Sequence, residues 1–332
     1  MNQNRKRRQQ NRLKFLSLQT KFQKTLKMKK TLYCAVFALA MAALALPAGC
    51  SDEETAPAIE TPQPEEDKDE EQGGGGMIPQ DVLNKAAAIY DAASIDPQTV
   101  TSVHQLAILT SICATRDDDG PISVTSATLN GEQITLMTLG GTEDRAGQAT
   151  TMEENQLASF GKDNDYLKAV RRLFADGTIP ADHPVLIAGV SLGGMIAQQV
   201  LGEKDVLDRF RIAAVVTFGS PITLPLDRKG VRVVRFADVN DRVPSLGEII
   251  IRSGMVTKDL TKEELLAKLD ELDASEKISA TSKYTEMIET HALSYIEDPC
   301  WDIYDFMGDK AGTNKLILKE RMRFYEAPKA QK

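Results

Sequence analysis

The chain is poor in the residues that would mark several large protein classes. Its 332 residues include only three histidines, His104, His183 and His291, and no cysteine pair has ligand spacing, so neither a zinc site nor any other metal site is expected. Four cysteines exclude a disulfide-dense scaffold. Gly and Pro together number 36, too few for a collagen, and no internal repeat is visible. Basic residues are outnumbered, 40 against 48 acidic. The resulting net charge of −8 lacks the basic footprint of a nucleic-acid binder. What remains fits a globular protein with 42% apolar residues, of a length suited to two domains or one large α/β domain.

The charge is unevenly placed. Residues 1–49 hold eleven Lys or Arg and no acid, so a chain starting at Cys50 carries a charge near −19. The basic block ends at Lys27-Met28-Lys29-Lys30, and Met28 alone would make a normal start for an export signal. An unbroken apolar run follows from Leu32 to Leu46, shorter than the roughly 20 residues a bilayer span needs. A charged head, a short apolar run and small residues before a cut form a secretory signal. The run closes in Leu46-Pro47-Ala48-Gly49-Cys50, which resembles the lipobox of bacterial lipoproteins, with Pro47 where Leu is usual. The resemblance implies that Cys50 is lipidated and becomes the mature N-terminus of an exported, membrane-anchored envelope lipoprotein, periplasmic or surface-facing. Acyl chains contribute about 0.8 kcal/mol per buried CH₂, so several can hold a soluble domain at a membrane. Residues 51–76 bring ten acids, one Lys, three Pro and the run Gly73 to Gly76, which reads as a solvated, self-repelling linker.

From Met77 to Lys332, one α/β domain is expected. Residues 80–94 and 97–115 have helical apolar spacing, with Asp96-Pro97 as a start signal. Ile122 to Thr128 alternates, Asn130-Gly131 makes a turn, and Gln133 to Leu139 returns, a hairpin pattern. Residues 153–175 read as one amphipathic helix. Val185 to Val190, Ile212 to Phe218 and Val231 to Phe236 are short Val- and Ile-rich runs of the kind found in buried parallel strands. A helix over 192–207 separates the first two, giving a parallel crossover unit. After Pro244 the pattern turns helical, and 261–273 reads as an exposed helical insertion.

The first buried strand runs into Gly189-Val190-Ser191-Leu192-Gly193, the G-x-S-x-G pattern of a nucleophile elbow. A serine at such a sharp strand-to-helix turn has a strained backbone that costs about 1–3 kcal/mol, and residues two before and two after it must be small. The turn aims backbone N–H groups of the following helix at the reaction centre. Ser191 then needs a base. His104 lies on an early helix, and His183 precedes the nucleophile strand at the end away from the elbow. His291 falls after the strands, where the hydrolase order Ser, acid, His places the base. An acid should follow a later strand and hold the imidazole. Asp238 and Asp241, both after the strand 231–236, qualify equally.

Val216-Thr217-Phe218-Gly219-Ser220-Pro221, Asn240-Asp241-Arg242-Val243-Pro244, the serine motif and Leu139-Gly140-Gly141-Thr142 resemble, in order, motifs of the class 3, fungal lipase-like family over about residues 134–300. The resemblance implies an α/β-hydrolase fold: a mostly parallel central sheet flanked by helices, with a helical insertion before the histidine. It implies Asp241 as the acid, and an oxyanion hole formed by Thr142 and the backbone N–H of Leu192. Gly140 stands where the family commonly has Arg. The segment after Thr142, often an apolar lid, is polar here through Glu143, Asp144, Arg145, Gln148, Glu153, Glu154 and Asn155. That argues against strong interfacial activation and leaves esterase or phospholipase open. The insert 246–290, with Ile249 to Ile251 and Met255, reads as core packing or an alternative cap. Cys113 and Cys300 are an even pair that could form a disulfide in an exported protein.

The reading is a serine carboxylic-ester hydrolase acting on an ester or lipid substrate through Ser191, His291 and Asp241, without a cofactor and without a nucleic-acid partner. The alternatives are a catalytically silent binding lipoprotein on the same scaffold, and a phospholipase, thioesterase or peptidase.

Overall fold

The computed structural model describes residues 79–112, 120–143, 147–223, 230–247 and 277–330. The export segment, Cys50, the linker, Cys113 and the insertion at 261–273 lie outside them, as do Ile249 to Ile251 and Met255.

The element order is α1 (Gln80–Ala92), β1 (Thr99–Val100), α2 (Val103–Ser111), β2 (Ile122–Leu129), β3 (Glu132–Leu139), α3 (Met152–Ser159), α4 (Asp165–Ala175), β4 (Val185–Val190), α5 (Leu192–Val200), α6 (Lys204–Leu207), β5 (Ile212–Phe218), β6 (Arg232–Asp238), β7 (Lys277–Ala280), α7 (Met287–Glu297), β8 (Leu316–Leu318) and β9 (Arg323–Tyr325). The strands form one mixed nine-stranded sheet flanked by helices, in the order β1-β8-β2-β3-β4-β5-β6-β7, with β9 also on β2. From β3 to β7 every pairing is parallel. The pairings of β1, β2, β8 and β9 are all antiparallel. The expected mostly parallel sheet is thus a parallel block joined to an equally numerous set of antiparallel pairings. β8 and β9 also follow His291, so the histidine does not come after every strand.

Side chains alternate across the parallel block. Leu186, Ala188, Val216, Phe218, Val234 and Phe236 face one apolar layer, which α1, α2 and α7 help to build. Val185, Ile187, Val215 and Val233 face the other, beneath α4 and α5. Continuous burial on both faces explains the unbroken Val/Ile runs. Each Val, Leu, Ile or Phe among them, fully buried, contributes about 1.5–3 kcal/mol. That is enough for a few of them to offset a strained turn between two elements.

Local boundaries follow caps and turns. Asn130 (φ 51°) and Gly131 (φ 90°) join β2 to β3 in the two-residue turn that left-handed residues favour. The expected helix 153–175 is two helices. Gly161 (φ 60°) breaks it, and the Asn164 side chain starts α4 by accepting from Leu167 N at 2.8 Å. Likewise 97–115 is not one helix: Ser102, not Asp96, caps α2, and Thr99–Val100 pair with β8. The 192–207 helix ends at Val200 and resumes briefly as α6. The tail of the expected helical insert is the strand β7, parallel to β6.

Candidate active site

Because β3, β4, β5 and β6 are neighbouring parallel strands, their C-terminal ends lie along one edge of the sheet, where open α/β sheets bind ligands. Leu139 leads there to Thr142, Val190 to Ser191, Phe218 to Gly219, and Asp238 to Asp241.

Ser191 is the tightest point. It has φ 50° and ψ −117°, and Asn130 in its turn is the other non-glycine among the described residues with positive φ. A non-glycine residue held at this sparsely populated positive φ costs about 1–3 kcal/mol. Its neighbours show why they are glycine. A Cβ on Gly189 would lie 2.4 Å from Gly193 O, and one on Gly193 2.1 Å from Leu139 O. Strand β4, helix α5 and the end of β3 therefore touch backbone to backbone at this corner. Ser191 N–H donates to Phe218 O at 3.0 Å, which ties the turn to β5. Gly141 abuts the serine: its Cβ would stand 3.4 Å from Ser191 Cβ. That brings the Thr142 loop beside Ser191. Leu192 is buried at the first turn of α5, where the leading N–H groups have no partner within the helix.

His291 lies on α7, and its Nδ1 is 2.8 Å from Asp241 Oδ2. Of the two aspartates that sequence leaves open, Asp241 is the one that meets His291. Its carboxylate also accepts from Val243 N (2.9 Å, at Oδ1) and from the Tyr295 hydroxyl (2.9 Å, at Oδ2). Asp238 does something else. It accepts from Ser294 Oγ, from Asn240 N at 2.9 Å and from Ser282 N at 3.4 Å, knitting the loop to α7. His291, Ser294 and Tyr295 sit at i, i+3 and i+4, so one face of α7 engages both aspartates. Behind that face the single tryptophan, Trp301, is fully buried, stacks on Tyr295 and donates to Ser294 Oγ at 3.1 Å.

Ser294, Tyr295 and Gly219 also take part in this arrangement; the first two carry no motif, and Gly219 stands only within the Val216 to Pro221 run. The spacing from His291 was the available signal for the first two. Gly219 has φ 57°, and a Cβ there would lie 2.8 Å from Tyr295 Cε2, 2.9 Å from Asp241 Oδ2 and 3.0 Å from His291 Nδ1. Phe218 and Gly219 thus connect the two halves of the site, since Ser191 bonds the one and His291 packs on the other. Gly219→Ala is expected to push the Asp241–His291 pair apart and to lower kcat about 10²-fold, the order that a misplacement near 1 Å costs. Steady-state kinetics beside a thermal melt would check it.

Burial alone would lower the His291 pKa. The Asp241 charge and hydrogen bond outweigh it, and the net shift is upward. Burial, then the Asp241 charge, pushes the Tyr295 phenol well above its usual range, so it remains a donor. If neutral His291 is the working base, the acid limb of kcat/KM has its midpoint above the ordinary imidazole value of about 6.5. In Asp241→Asn burial remains without the charge, and the limb moves to lower pH. Stability runs the other way. The raised His291 value contributes stability that is full below about pH 6.5 and is lost as pH rises through the folded value. A pH–rate profile and melts across the same range would show both.

The remaining histidines are elsewhere. His104 on α2 bonds Asp298 O (2.6 Å) and Asp302 (3.1 Å), and His183 sits before β4, beside Asp182. Cys300 is a half-buried free thiol, which burial and Asp298 push up to about 12. Among the described residues no three His, Cys, Asp or Glu side chains gather as metal ligands.

No protein-family model matches the chain, and no curated protein matches it. Among solved structures it is similar to a deletion mutant of the Rhizomucor miehei lipase propeptide complex. The match has 13% identity and a TM-score of 0.27, over 64% of this chain and 82% of the other, a likeness too low to assign the fold.

Proposed function

We propose that this protein is a serine carboxylic-ester hydrolase of α/β-hydrolase type, held at a bacterial membrane by lipid on Cys50. The observation that carries the reading is Ser191, held at φ 50° at the strand–helix turn. A strained backbone at a non-glycine residue is typical of functional sites, and the nucleophile-elbow turn calls for it at its serine. The buried Asp241–His291 hydrogen bond at the neighbouring strand ends supports it.

In this reading Ser191 Oγ attacks the ester carbonyl as His291 Nε2 takes its proton, and Asp241 holds the imidazole and stabilises its charged form. The oxyanion is met by Leu192 N–H and Thr142. His291 returns the proton to the leaving alcohol. Water then attacks the acyl-enzyme with His291 again as base, releasing the acid and restoring Ser191. The polar helix α3, with Glu153 exposed and Asn155 half-buried after Thr142, favours a soluble ester or a phospholipid over bulk triglyceride.

Nitrophenyl esters of rising chain length test the reading. Turnover by the wild-type domain that vanishes in Ser191→Ala is the expected result. No turnover at any length would favour the silent binding scaffold instead.

A further inference from the structure

We propose, on the basis of the hydrolase reading above, that residues 327–330 form a strap that keeps the Thr142 loop in its working position, so that turnover needs no lipid surface. The loop is tied at both ends to the chain around β9. Tyr325, the last residue of β9, pairs with Ile122 on β2. Just before Ile122, Pro121 O accepts from Gly140 N at 2.8 Å, where the loop starts. Where it ends, Glu143 N donates to Thr150 O and Thr150 Oγ1 to Glu143 O, both at 2.8 Å. Residues 147–149, next to Thr150, are bound in turn by the strap. Ala149 N donates to Ala327 O (2.6 Å), Ala327 N to Gln148 Oε1 (2.8 Å) and Lys329 N to Gly147 O (2.9 Å). Gln148 and Pro328 face each other as an antiparallel pair.

Packing and charge hold the strap down. Ala327, Ala149 and Ala158 are fully buried in the apolar layer that also holds Leu139 and Leu192. Lys329 Nζ meets Glu153 at 2.8 Å, and Glu154 and Asp165 add their charges around it. Ala330 N donates to Asp165 Oδ2 at 2.8 Å, and Asp165 N to buried Glu154 at 2.9 Å, which joins strap, α3 and α4. Moving α3 away from the site would break these contacts together. It would also leave the N–H groups of buried Ala149 and Ala327 without partners, which is costly.

Turnover of nitrophenyl butyrate, measured well below each variant's melting temperature, tests the strap. In the full chain the rate should rise smoothly through the solubility limit of the ester, with no jump when droplets form. A chain stopped after Glu326 should lose kcat about 10²-fold with KM little changed, the order that a misplacement near 1 Å costs. Lys329→Glu sets a carboxylate against Glu153, Glu154 and Asp165 but keeps Ala327, and should show part of that loss. Gln148→Cys with Pro328→Cys should lock strap to loop. The two form a non-hydrogen-bonded pair, whose Cα atoms stand about 4.5 Å apart, within disulfide reach. The oxidised pair should turn over as fast as the reduced pair. Three results would each overturn the strap and leave the hydrolase reading standing. They are full kcat in Lys329→Glu or in a folded shortened chain, a jump at the solubility limit, and turnover that disappears on oxidation of the cysteine pair and returns on reduction. A protein with no Ser191-dependent turnover would overturn both.

Discussion

Replacing Ser191 by alanine should lower kcat/KM by about 10⁶-fold, the loss seen when a nucleophile that acts as a unit with its base is removed. The fold should survive, because the turn does not depend on the hydroxyl: its anchor is the backbone bond from Ser191 N to Phe218 O. Alanine still sits at φ 50°, so Ser191→Ala keeps the strain. Ser191→Gly releases about 1–3 kcal/mol of it, less the ~0.5–1 kcal/mol that glycine's extra chain entropy costs. Both variants should be inactive, and the glycine variant should melt higher. A glycine variant that melts below the alanine variant would mean that the turn stores less strain than glycine's entropy costs.

The second large effect separates two aspartates three residues apart. Asp241→Asn should cut kcat about 10⁴-fold, because the amide no longer stabilises the imidazolium or its working tautomer. Asp238→Asn should leave kcat nearly intact and weaken the fold instead. Asp238 is 2% exposed and receives Ser294, Asn240 and Ser282, so spoiling that set costs about 1–3 kcal/mol and several degrees of melting temperature. Rates and melts on both variants form a crossed design. A rate collapse in Asp238→Asn with Asp241→Asn active would reverse the two roles.

These aspartates also mark where sequence reading ran out. Both follow the same strand, and distance along the chain cannot tell them apart. What separates them is which side chain of α7 each meets, a matter of helix rotation and of Tyr295 and Ser294 one turn beyond His291. The long elements were legible because their signals are local. Asn130-Gly131 dictates a tight hairpin, and Val185 to Val190 is buried on both faces. β1, β8 and β9 were not, since strands of two or three residues have no period to read and exist only through partners more than 180 residues away in the chain. The split at Gly161 was missed because apolar spacing continues across it in Leu157, Leu167 and Val170, whereas the break comes from backbone conformation. Gly219 was visible only as part of a motif. Its reason, the space taken by Asp241, His291 and Tyr295, belongs to the folded chain.

The most direct measurement of the central claim is intact mass after reaction with a fluorophosphonate. The wild-type domain should gain one phosphonyl group, with fluoride as the leaving group. Peptide mapping should place it on Ser191, Ser191→Ala should gain none, and Asp241→Asn should react far more slowly. A wild-type domain that stays unmodified, or one labelled equally with and without Ser191, would contradict the account.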